Sequence, residues 1–219
     1  MRITKLLLIM LTPFAVLSFS GEFSIDDYLL ELNCDSLKLL NYIGNGTFLL
    51  EPLTLSSVLA FTVDGTINHY FPQSSFLDFL NRLNYLHFST LAILTSIIVY
   101  PFDAYTSFTI LESFVATSGV VVLLKFLVGR ARPYTDNNPF TFKPFSFSED
   151  YQSFPSGHTA LSWAIFTPVA LRFGDIWYAV PVVFSAQRLW SNNHWTSDVL
   201  FATSIGYNFG KTLYETKGE

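Results

Sequence analysis

Apolar residues in this chain gather into long runs rather than alternating with polar ones, and the runs break at short stretches rich in Gly, Pro, Asp and Asn. Without a period of two there is no basis for strands, so the pattern predicts an all-α fold. Residues 86–102 and 107–128 form the most apolar runs, parted at Pro101-Phe102-Asp103-Ala104, and both suit a membrane. Glu112 falls within the second run, which makes lipid exposure of its face costly. A polar loop over about 133–154 leads to three further helical runs, 158–173, 176–190 and 194–213. Ahead of all these, residues 22–46 are mixed and polar, with Asp26-Asp27 at a helix start and Gly44-Asn45-Gly46 at its end. Residues 47–63 are apolar but carry Glu51, Pro52 and several hydroxyls, so they read as a buried or interfacial helix rather than a spanning one.

The amino terminus has its own pattern. Arg2 and Lys5 precede an apolar stretch over 6–19, and Ser18 and Ser20 follow with small side chains. These are the three parts of an export signal over residues 1–20, with an uncleaved anchor as the alternative. The remainder divides into an N-terminal helical segment, 21–63, and a main domain, 64–219.

Composition sharpens the picture. The chain has 219 residues, of which 50% are hydrophobic and 13% charged, against about 25% charged in soluble domains. The expectation is a helical bundle of about six helices embedded in a membrane. A net charge of −5 gives no support for a nucleic-acid partner. The single cysteine, Cys34, excludes an internal disulfide and a cysteine-based zinc site.

Three segments carry candidate chemistry. In KFLVGRARPY, Lys125 and Arg132 are seven residues apart. On a continuous helix they stand two turns apart on nearly one face, with Arg130 rotated away. Two cations aimed together call for an anion between them; the alternative is a basic membrane-boundary anchor. In SFPSGHTA, Ser156 suits a helix N-cap, yet a hydroxyl, Gly157, exposed amides and His158 together also make a phosphate seat. In QRLWSNNHWTSDVL, His194 and Asp198 are one helical turn apart. A carboxylate there would fix the imidazole tautomer and free the other nitrogen to act. Arg188 precedes them with a fork suited to phosphate oxygens. A metal site or a structural ion pair fits the His-Asp pair equally well, and the only other histidines are His69, His87 and His158.

Taken in order, Lys125-x6-Arg132-Pro133, Pro155-Ser156-Gly157-His158 and Arg188-x5-His194-x3-Asp198 resemble the three signature segments of the type 2 phosphatidic acid phosphatase family. The resemblance covers about residues 64–213. One departure is Gln187, where the family commonly has a small residue before the arginine. The resemblance implies that His194 attacks phosphorus to give a phosphohistidine, that His158 protonates the leaving oxygen, and that Asp198 holds His194. Lys125, Arg132, Ser156, Gly157 and Arg188 would bind the phosphate. No metal and no cofactor are implied, because three cations do a metal's electrostatic work.

The expected substrate is a lipid phosphate, with the membrane as partner, no nucleic acid and no obligate protein partner. The active site is expected at one end of the bundle, facing the periplasm of a bacterial-type envelope provided that residues 47–63 do not span. Two alternatives share these motifs: a soluble periplasmic acid phosphatase of broad specificity, and a vanadate-dependent haloperoxidase, for which this chain is short.

Overall fold

A computed structural model describes residues 25–66 and 79–215; the export signal expected over residues 1–20 lies outside the described residues, as does His69. The helices run α1 (Ile25–Gly44), α2 (Thr47–Leu50), α3 (Pro52–Phe61), α4 (Tyr85–Val99), α5 (Ala104–Val128), α6 (Gly157–Phe173), α7 (Ala179–Trp190) and α8 (Thr196–Glu215). Among the described residues the only β pairing is a single bridge between Arg130 and Phe142. The protein is an all-helical bundle.

Local chemistry sets the helix ends. Asn84 caps α4 by accepting from the amides of Leu86 and His87, and the His87 ring reaches back to the Asn84 amide. Asp103 caps α5 through the Thr106 amide at 3.0 Å. At the other end of α5, Gly129 takes a left-handed conformation (φ 60°). That conformation suits glycine, and a Cβ there would lie 1.9 Å from the Lys143 carbonyl oxygen. The expected helix through Arg132 therefore stops at Val128. Beyond it the chain runs against the returning loop, with the Ala131 amide on the Thr141 carbonyl at 2.9 Å.

The second correction is at α8, which begins at Thr196 rather than His194. Asp198 reaches back to accept from the Trp195 amide at 2.9 Å, in the manner of a capping box. This leaves His194 ahead of the helix.

The core has two main parts. Phe88 and Ala92 of α4, Ile110 of α5, Leu161, Ile165 and Val169 of α6 and Phe184 of α7 form one. Leu39 of α1, Phe48 of α2, and Ile205, Phe209 and Leu213 of α8 form the other. Between them α6 and α8 approach closely, with Ala160, Ala164, Ala202 and Gly206 at the crossing. The expected interfacial segment 47–63 becomes α2 and α3, and α3 is pinned to α8 by the buried hydroxyl pair Thr54–Ser204 at 2.6 Å.

The outside of the bundle is apolar. Leu50 (74% exposed), Leu59, Leu86, Ile98, Val122 and Ile176 (78% exposed) all face outwards. Apolar exposure on this scale marks a surface made to be covered, which makes embedding in a bilayer plausible. Among the described residues, α5 alone is long and apolar enough to cross a membrane. The run expected over 86–102 ends as a helix at Val99 and is shorter. Glu112 is buried on the protein side of α5, as the cost of its lipid exposure requires.

Candidate active site

The end of the bundle where α5, α6 and α7 meet the start of α8 collects the residues singled out in the sequence. His194 lies in the link between α7 and α8 and is buried. Its Nδ1 stands 2.7 Å from the Ser153 carbonyl oxygen. A carbonyl only accepts, so Nδ1 carries the hydrogen and Nε2 holds the lone pair. Burial, reinforced by Arg188, Lys125 and Arg132, keeps the His194 pKa well below the usual histidine range. A neutral imidazole with a free Nε2 is the form a nucleophile needs.

Asp198, the residue expected to hold His194, has its Oδ2 3.7 Å from Nδ1, too far for a hydrogen bond. The carboxylate instead accepts from the Ser153 hydroxyl at 2.5 Å, the Trp195 amide at 2.9 Å and Arg130 Nη1 at 2.6 Å. Ser153 thus links the two, its hydroxyl on Asp198 and its carbonyl on His194. The cause is the helix start: Asp198 is spent on the cap, and His194 sits outside the turn that an i,i+4 pair presumes.

Three cations surround the histidine. Lys125, in the last turn of α5, is buried and donates to the Gln152 carbonyl. Arg132 reaches Asn193 Oδ1 through Nη1 at 3.4 Å. Arg188, in the last turn of α7, gives Nη1 to Asn81 Oδ1 at 2.8 Å and to Gln187 Oε1 at 3.1 Å. The Nε atoms of both arginines are buried without a partner among the described residues. Burial and the charge of Arg132 pull the Arg188 pKa down to about 9. Unsatisfied buried donors and mutually repelling cations are costly, and an oxyanion between them relieves both penalties.

Ser156 occupies the N-cap position of α6 but makes no side-chain cap; its Oγ accepts from Thr159 Oγ1 at 3.0 Å. The first-turn donors of α6 are therefore not spent on Ser156, and helix starts of this kind favour anions. Gly157 is closely packed: a Cβ would stand 2.8 Å from the Tyr85 hydroxyl, which would have to shift, and 3.7 Å from Lys125 Cε. The Nε2 of His158 is 2.6 Å from the Leu83 carbonyl, to which it donates. Burial and the neighbouring Arg188 lower the His158 pKa to about 3, so it is held neutral. An anion bound among the cations would raise it.

Several residues here escaped the sequence reading. Arg130 is fully buried and forks between Asp64 Oδ2 (2.9 Å) and Asp198 Oδ1 (2.6 Å), with Nε on the Pro139 carbonyl at 2.9 Å. Its guanidinium lies 4.1 Å from the centre of the Phe61 ring. Asp64 also takes the Ser197 amide and hydroxyl at 3.1 and 2.5 Å. The signal for Arg130 was Gly129 just before it, a residue that favours ending the helix. Nothing near Asp64 or Asn81 announced a role. Among the described residues no group of three or more His, Cys, Asp or Glu side chains is placed to hold a metal ion.

Residues 106–218 match the model of the PAP2 superfamily. A lipid A 1-phosphatase from Rhizobium johnstonii is 34% identical over 108 residues, covering 47% of this chain and 43% of that protein. One from Rhizobium etli is 36% identical over 98 residues, covering 42% of each. One from Porphyromonas gingivalis is 38% identical over 69 residues, covering 28% of this chain and 16% of that protein. The similarity thus spans less than half the length of these relatives. No solved structure matches the chain.

Proposed function

The chain belongs to the PAP2 superfamily, and from that premise we propose that it is a metal-independent phosphatase of membrane-lipid phosphates, acting through a phosphohistidine on His194. The observation that carries this reading is the pair of buried arginine Nε atoms without a partner among the described residues, beside a neutral histidine whose Nε2 holds the lone pair.

The chemistry follows. Phosphoryl transfer asks the protein chiefly for positioning and for charge around the three equatorial oxygens. Lys125, Arg132 and Arg188 supply the charge, and Ser156 with the first amides of α6, including that of Gly157, supplies hydrogen bonds. His194 Nε2 gives its lone pair to phosphorus, in line with the P–O bond that breaks. The departing oxygen takes a proton from His158, which acquires it when the bound phosphate offsets the surrounding cations. Water then attacks phosphorus and His158 accepts its proton. The P–N bond breaks, its electron pair returns to Nε2, and inorganic phosphate leaves. Asp198 orders Ser153 and through it His194.

The substrate class rests on the apolar exterior and on the relatives named lipid A 1-phosphatase. The loop beside the site adds Tyr134, Phe140, Phe145 and Phe147, the last 84% exposed. Rings so placed suit a headgroup layer. We place the enzyme in a bacterial envelope membrane with this end facing outwards.

The test uses purified full-length protein in detergent, offered lipid A carrying a 1-phosphate, phosphatidic acid and 4-nitrophenyl phosphate. Phosphate release from a lipid should survive chelator and be blocked by vanadate, whose five-coordinate form mimics the transferring group. Loss with chelator and rescue by a divalent ion would overturn metal independence. Equal catalytic efficiency on the soluble ester would replace the lipid enzyme with a broad-specificity phosphatase.

A further inference from the structure

Arg188 and Arg132 come from different segments, one at the end of α7 and one in the extended stretch after α5. To grip one phosphate, two guanidinium groups must be held at a fixed spacing, although their charges push them apart. The structure shows what spans them. Arg188 Nη1 donates to Asn81 Oδ1 at 2.8 Å, and the same oxygen accepts from Asn193 Nδ2 at 3.0 Å. Asn193 Oδ1 in turn accepts from Arg132 Nη1 at 3.4 Å. Ser191 Oγ, 2.5 Å from Asn193 Nδ2, steadies the second amide.

The polarity of this chain is fixed by chemistry. A guanidinium only donates, so the Asn81 atom facing Arg188 is its oxygen. The Asn193 atom facing that oxygen is then a nitrogen, which turns the Asn193 oxygen towards Arg132. Two neutral amides thus connect two cations, each accepting at one end of the chain. Carboxylates would satisfy the same donors, but they would neutralise the arginines and repel a phosphate. Amides hold the forks in place and leave their charge for the ligand.

We infer that Asn81 is a positioning residue of the phosphate site, forming with Asn193 a neutral link that sets the spacing of Arg132 and Arg188. The inference rests on the phosphatase reading of this site and extends it to a residue outside the three motif segments and outside the matched stretch 106–218. Asn81 is solvent-exposed and lies just before the cap of α4. Its neighbourhood joins the site at two further points, since the Leu83 carbonyl takes His158 Nε2 and the Tyr85 hydroxyl packs on Gly157.

The experiment measures vanadate affinity and the separate kcat and KM for 4-nitrophenyl phosphate in wild type, Asn81→Asp, Asn81→Ala, Arg188→Ala and the two double variants. Asn81→Asp preserves shape and adds only charge, so vanadate binding should weaken by about tenfold or more. Asn81→Ala, which loses the tether without adding charge, should weaken it by roughly threefold. In both, KM should rise by more than kcat falls. In the Arg188→Ala background Asn81→Ala should move vanadate affinity by less than about twofold, because the partner is gone, while Asn81→Asp keeps its repulsion of the anion. A purely structural Asn81 would lower thermal stability in every background and leave vanadate affinity alone. Wild-type affinity in Asn81→Asp, or an Asn81→Ala loss that persists undiminished without Arg188, would overturn the inference while the phosphatase reading stands. Wild type that neither binds vanadate nor releases phosphate would remove both.

Discussion

The Ser153 carbonyl decides which nitrogen of His194 can act, and Asp198 acts on that choice at one remove. Removing the imidazole in His194→Ala should leave almost no phosphate release, and single-turnover trapping should show no phosphorylated protein. Asp198→Asn should still fold, yet it loses charge opposite Arg130 and weakens the hold on Ser153. We expect kcat to fall by roughly two orders of magnitude, by analogy with other orienting carboxylates. Ser153→Ala keeps the carbonyl and drops only the hydroxyl, so its loss should be milder, within about tenfold. If Ser153→Ala costs as much as Asp198→Asn, the hydroxyl matters in its own right. Residue identities were the most legible layer of this sequence. The spacing of Lys125, Arg132, Ser156, Gly157, His158, Arg188, His194 and Asp198 marked them all, and the structure gathers them at one end of the bundle. Their partners were not legible, because a partner such as Asn81 or Ser153 is defined by a contact across the fold and not by sequence spacing.

The helices themselves explain the other surprises. A helical wheel drawn through Arg132 rotates Arg130 away from Lys125 and Arg132 but does not say what it meets, because the chain leaves the helix at Gly129. Gly129→Ala should therefore be expensive, since its Cβ would strike the Lys143 backbone and the left-handed conformation strains any side chain. A loss of more than about 2 kcal/mol is expected from thermal or denaturant unfolding, with Arg132 displaced and KM raised. Unfolding and kinetics like wild type would mean that the turn relaxes easily. The same turn sends Arg130 inwards, between Asp64 and Asp198. Arg130→Gln strands two buried carboxylates, and breaking a buried pair in this way costs about 3–5 kcal/mol. That cost should show as a large drop in melting temperature, and a drop comparable with an ordinary surface substitution would contradict it. Helix existence and type were readable from apolar runs. Their ends depended on Gly129 and on Asp198 as a cap, features that a hydrophobic pattern does not register.

At the scale of the whole molecule, the fold gathers cations at the expense of its histidines. His158 and His194 both lie outside α5, and burial together with the surrounding cations holds them neutral, His158 down to about 3. In the unfolded chain each takes a proton near the ordinary histidine value of about 6.5. Below that pH the unfolded state binds more protons than the folded one, so stability must fall as pH falls. The window opens near 6.5 and for His158 extends to about 3, with each histidine contributing up to about 1.4 kcal/mol per pH unit. Carboxylates add their own loss only further into acid, which makes the range from 7 to 5 diagnostic. An oxyanion among Lys125, Arg132 and Arg188 offsets the positive field, raises the His158 pKa and should flatten the slope. Melting temperature of the detergent-purified protein, followed from pH 7.5 to 5 with and without vanadate, tests this directly. The expected result is a steep fall without the anion and a shallow one with it. A flat profile without vanadate would mean that the folded protein takes up protons at the same pH as the unfolded chain, and the depressed histidine pKa values would have to be abandoned.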